Sequence, residues 1–115
     1  MQAEYFEGVK VGEPGKMSDN LDYGNDNIER NIIFEKKKAT YVQFALSPEK
    51  GLVTNQAQGD IHVNVLSGSI EVELDGKDMT VKEGEFILLP KGLPQCIETD
   101  SGAKMTFLIV QDLDD

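Results

Sequence analysis

The chain has 115 residues, 11 basic against 21 acidic, and a net charge of −10. That length is one domain's worth, and the field it carries repels nucleic acid and anionic lipid. No apolar run reaches the roughly 20 residues of a membrane helix, and a single cysteine, Cys96, permits no intrachain disulfide.

In chain order, Met1-Gln2-Ala3-Glu4-Tyr5-Phe6-Glu7 has neither a basic start nor an apolar run. It does not read as a signal peptide, and a cytoplasmic location is expected. Residues 1–28 are rich in Gly, Asn and Asp with little periodicity. They read as an arm with room for one short strand, packed on the rest of the domain or on a partner subunit. Residues 29–115 read as the folded barrel. Asn31–Phe34 and Thr40–Leu46 are expected strands. The basic run Lys36-Lys37-Lys38 between them reads as a solvated strand end or turn.

From Gly59 the glycines fall at 68, 76, 84, 92 and 102, in steps of 9, 8, 8, 8 and 10. Turn residues at this spacing between apolar segments mark an all-β sandwich or barrel. Ile61–Leu66 is an expected strand. Ser69–Leu74 alternates strictly, with Ile70, Val72 and Leu74 on one face. Asp75-Gly76 is a two-residue hairpin signal, and Asp78–Lys82 is the returning strand. Phe86–Leu89 is apolar on both faces and reads as a central strand covered on two sides, ended by Pro90. Gln95–Thr99 and Met105–Val110 complete the set.

Two stretches together resemble the cupin signature. One is Gly59-Asp60-Ile61-His62-Val63-Asn64-Val65-Leu66-Ser67-Gly68, continuing through the hairpin to Gly76. The other is Gly84-Glu85-Phe86-Ile87-Leu88-Leu89-Pro90-Lys91-Gly92-Leu93-Pro94-Gln95. The resemblance implies an antiparallel double-stranded β-helix, the cupin jelly-roll barrel, over about residues 30–111. It also implies a homodimer. In metal-binding relatives the first motif supplies two histidines and a carboxylate or amide, and the second supplies another histidine. Those positions fall here on Asn55, Ala57, Ile61 and Gln95.

The whole chain holds one histidine, His62, so no three-histidine site fits within one subunit. No metal and no cofactor are expected. His62 is the natural general-base candidate. However, if Ile61, Val63 and Val65 face inward, the two-residue strand period turns it outward. Asp60 is a rim candidate for acid–base work, against the commoner reading of a turn aspartate that bonds backbone. Cys96 lacks a flanking base or cationic cluster and reads as inert. Asn55 and Gln95 are the polar candidates for ligand binding. Phe44, Phe86, Met105 and Phe107 are the apolar candidates for a pocket lining.

The leading expectation is therefore a barrel that binds a small molecule without metal. The first alternative is a metal-independent isomerase, epimerase or lyase acting on a sugar or small acid, for which Asp60, His62 or Tyr41 would have to converge on one pocket. The second is a degenerate structural or regulatory cupin whose surface matters instead.

Overall fold

The computed structural model describes residues 2–24, 27–54 and 57–111. Among these residues, eight antiparallel strands follow one 3-10 turn, Met17–Asp19, in the arm. The strands are β1 (Ile28–Glu35), β2 (Ala39–Leu46), β3 (Gly51–Thr54), β4 (Asp60–Leu74), β5 (Lys77–Lys82), β6 (Phe86–Leu89), β7 (Gln95–Glu98) and β8 (Ala103–Val110). The fold is all-β, as the glycine spacing predicts, and antiparallel, as the resemblance to cupins implies.

The strand β4 organises the barrel. Its first half pairs with β8 and β6, and its second half pairs with β5 and β7. One leaf therefore runs β1-β2-β8-β4-β6 and the other β5-β4-β7-β3. The sequence reading separates Ile61–Leu66 from Ser69–Leu74 as two strands. The chain instead bends through Gly68 without ending the strand.

The bend has a signature in burial. Ile61, Val63 and Val65 are buried in the first half, then Ile70 and Val72 in the second, so the inward set changes from odd to even residues. A register shift between Val65 and Ser67 supplies the extra residue. Without it, a period of two would turn the second half's apolar set to solvent. Gly68 sits at φ +79°, and a Cβ there would lie 2.2 Å from the carbonyl oxygen of Gly102. Beside this corner Thr99 Oγ1 donates to Ser69 O at 2.9 Å and accepts from the amide of Gly102 at 3.1 Å.

The Asp75-Gly76 turn forms as expected. Both residues have positive φ, 50° and 81°, and Leu74 pairs with Lys77 across a two-residue loop. Side chains from both leaves meet in one core that includes Val63, Val65, Ile70, Val72, Val81, Ile97 and Met105.

The arm holds no strand among its described residues, contrary to the room allowed for one. It lies across the outer face of β1, β2 and β8 and is held largely by polar contacts. Gln43 is fully buried; its Oε1 accepts from Asn20 Nδ2 and its Nε2 donates to Met17 O. Lys104 Nζ donates to Ser18 O at 2.6 Å and stands over the Tyr23 ring. A register shift in β1 between Ile32 and Phe34 leaves Ile33 as an extra residue. Ile33 is buried, and its carbonyl accepts from the amide of Glu7. Phe34 turns outward to pack edge-on against Phe6.

The arm's cover stops short of β6, which corrects the reading of Phe86–Leu89 as a central strand. Its only pairing among the described residues is with β4. Phe86 is 63% and Leu88 57% exposed. Both-face apolarity here reflects one face in the core, Leu89 above all, and one face left open.

Candidate functional site

The inward side chains of β1, β2, β8 and the start of β4 do not fill the barrel at one end. They enclose an open cavity of about 450 Å³, within the range of small-molecule sites. Its walls are apolar. Val42 and Phe44 come from β2, Phe107 and Ile109 from β8, and Ile61 from β4, with Ala57 and Leu52 beside them. Phe44 and Phe107 meet edge-to-face at 4.9 Å between ring centroids. The polar groups sit around the rim: Arg30 and Glu35 from β1, Thr40 from β2, then Gln58 and Gln111. Gln111 is anchored there, since its Nε2 donates to Lys37 O and its amide to Lys38 O. A smaller recess of about 270 Å³ lies within the arm, among Val9, Lys10, Met17 and Asn20. It is walled mainly by exposed arm residues, so the barrel cavity is the better-built site.

The sequence candidates divide by register. Phe44 and Phe107 line the cavity. Met105 is fully buried in the closed core instead. The next inward residue of its strand, Phe107, is the one that reaches the open end. Phe86 lies on the outer face, where its ring stacks on His62 at 4.9 Å. It corrects the expectation of a lining residue: Asn64 opposes Phe86 and Val63 opposes Ile87, so the even residues of this strand pair point away from the core. His62 is on that same outer face, opposite Leu88 and Leu108.

Asp60 is exposed, and its Oδ1 accepts from the amide of Lys91 at 2.8 Å. It ties down a turn 31 residues away rather than its own backbone. Tyr41 packs outward against Phe34. Asp60, His62 and Tyr41 thus lie on the side of the sheet away from the cavity, and register keeps them from converging in it. Asn55 lies outside the described residues.

Gln95 is buried on β7, and its Nε2 finds no hydrogen-bond partner among the described residues. A buried amide donor without a partner is costly. Gln95 does not line the main cavity. It borders a shallow recess with Val53, Glu73, Asp75, Pro94 and Cys96. Cys96 Sγ lies 3.5 Å from Glu98 Oε1. Burial pushes its thiol above the ordinary thiol range, and the carboxylates of Glu98 and Glu73 add to the shift. That environment disfavours the thiolate a nucleophile needs.

Arg30 is among the rim residues that the sequence reading passed over, with Glu35, Thr40, Gln58 and Gln111. It is the chain's only arginine. The available signal was its place two residues from Ile28 and two from Ile32, the inward period of a strand.

An antiparallel barrel with its pocket between two leaves defines the cupin fold. The family model described as Cupin domain matches residues 56–111, and no curated protein matches the sequence. Solved structures agree over nearly the whole chain. A conserved protein of unknown function from Streptococcus pyogenes superposes with a TM-score of 0.90 at 19% identity, covering 96% of each chain. A cupin superfamily protein from Desulfitobacterium hafniense gives 0.88 at 11% identity, covering 93% of this chain and 98% of that one. A cupin 2 conserved barrel domain protein from Leptotrichia buccalis gives 0.79 at 26% identity, over 83% of this chain and 46% of that longer one.

The resemblance implies metal-ligand positions at Asn55, Ala57, Ile61 and Gln95, of which the last three lie among the described residues. Those three do not suit a metal. Ala57 and Ile61 line the cavity with hydrocarbon, and neither side chain has a donor atom. Gln95 brings a neutral amide. Among the described residues no three His, Cys, Asp or Glu side chains gather into a group that suits a metal ion.

Proposed function

We propose that this chain is a cupin whose barrel binds a small organic molecule without a protein-bound metal. The observation that carries this reading is the cavity of about 450 Å³, walled by Val42, Phe44, Ile61, Phe107 and Ile109 and open at a polar rim. Apolar walls with a few polar groups at the mouth suit an amphipathic ligand. A thermal-shift screen of small metabolites tests it. A true ligand at 100 times its dissociation constant stabilises by about 2.7 kcal/mol, which is roughly 10 °C for a domain of this size. No hit above a degree across a broad library, metals excluded by chelator, contradicts it.

A second proposal concerns assembly: two copies associate through the outer face of β6, β4 and β8. Phe86, Leu88, Leu108 and Val110 are all exposed there beside His62, and the arm covers the adjoining part of the same sheet. An apolar patch continuous with a covered face is the kind of surface that association buries. The lone cysteine and the chain's independence of disulfides support a reducing compartment, the cytoplasm. No helix among the described residues is long and apolar enough to cross a membrane.

A further inference from the structure

Resting on the cavity-binding reading, we infer that the ligand is a small amphipathic carboxylate. Its apolar body lies against Phe44, Phe107 and Ile109, and its carboxylate is held by Arg30. The geometry begins with β1. Arg30 pairs with Phe44 and Ile32 with Val42, so the guanidinium stem stands on the inner side of the sheet beside the aromatic pair. Arg30 lines the cavity, and its guanidinium makes no hydrogen bond or ion pair with any described residue.

That lack of a partner is informative in this chain. The described residues hold 17 of the chain's 21 acidic side chains, the other four being Asp26, Asp112, Asp114 and Asp115, so a carboxylate partner is not scarce among them. An arginine fork with no partner among the described residues, at the mouth of an apolar pocket, matches a planar carboxylate in two parallel hydrogen bonds, a geometry that lysine cannot supply. Beside it, Phe44 and Phe107 offer an aromatic floor for the rest of the molecule.

The far end of the rim is fixed by backbone contacts. Gln111, which lines the cavity, is held by the carbonyls of Lys37 and Lys38. The chain's one basic run, Lys36-Lys37-Lys38, thus turns at that end of the mouth. Of the described cationic side chains only that of Arg30 lines the cavity, while Lys36 Nζ stands over the Tyr5 ring of the arm. Glu35 shares the rim. It opposes the ligand's charge from the far side and orients the carboxylate toward Arg30.

The test is a pairwise titration by calorimetry and by backbone NMR. The probes are benzoate, phenylacetate, 4-phenylbutyrate and hexanoate, each matched with its own carboxamide. At least one carboxylate is expected to bind in the cavity about tenfold more tightly than its amide, with the difference shrinking as salt rises. Arg30→Gln is expected to remove that preference while the amide binds as before. Arg30→Lys restores only part of it, and Glu35→Gln strengthens carboxylate binding. Arg30 is exposed, so an unchanged amide affinity also reports that the variant folds. Equal affinity for acid and amide, or a preference that survives Arg30→Gln, overturns the role of Arg30 and leaves cavity binding standing. Binding of neither series at 10 mM overturns both.

Discussion

Single residues decide where this barrel bends and what its one thiol can do. A side chain at position 68 meets the Gly102 carbonyl while holding a left-handed backbone. Either effect alone costs 1 kcal/mol or more, so Gly68→Ala is expected to lower stability by about 3 kcal/mol, read from urea midpoints. A loss under about 0.5 kcal/mol would mean the corner is softer than described. Cys96 belongs to the same scale. With its thiol pushed above the ordinary range by burial, then by Glu98 and Glu73, iodoacetamide should modify it more slowly at pH 8 than a free thiol. Glu98→Gln should speed that reaction. A raised pKa means the folded chain holds the proton more tightly than the unfolded one. Its contribution to stability is present below the ordinary thiol pKa and is lost as pH rises through the folded value. A Cys96 that reacts as fast as free cysteine at pH 8 contradicts this placement.

Elements show what a sequence discloses and what it hides. Strict alternation made Ser69–Leu74 legible, and Asp75-Gly76 fixed its hairpin. The halves of β4 were both read with the correct inward residues, yet as separate strands, because a glycine that bends a strand and one that ends it look alike in sequence. Gly51–Thr54 was not anticipated, since four residues are too few to show a period. Phe86–Leu89 was misplaced because apolarity on both faces does not say what covers them. In the site, Phe44 and Phe107 were legible by alternation. Met105 was not separable from them, since depth along the barrel is a tertiary property. The arm's attachment was equally hidden, because it depends on scattered tertiary contacts, among them one buried amide, that of Gln43. Gln43→Ala removes the side-chain partner of Met17 O and one of the two acceptors of Asn20 Nδ2, which keeps Gly8 O. It is expected to cost about 2 kcal/mol and to speed proteolysis within residues 2–24. Cleavage there at the wild-type rate would show that the arm is held some other way.

At the scale of the whole molecule, the two leaves separate two kinds of surface. The inner one carries the cavity, and the outer one carries the arm and the apolar strip along β6. If two copies meet on that strip, sedimentation at micromolar concentration gives the mass of two chains. Leu88→Lys then returns the mass of one without loss of fold. Association should strengthen with salt, because each copy carries a net charge of −10. A wild-type mass of one chain at 100 μM rejects this face as an interface.

The most direct test of the central claim is methyl and backbone NMR of the protein during titration with a thermal-shift hit. The account predicts that shifts concentrate on Val42, Phe44, Ile61, Phe107 and Ile109, with Arg30 at their edge, and that Phe86 and Leu88 stay still. Shifts confined to the outer face, or to the recess beside Cys96, would contradict it and move the working site out of the barrel.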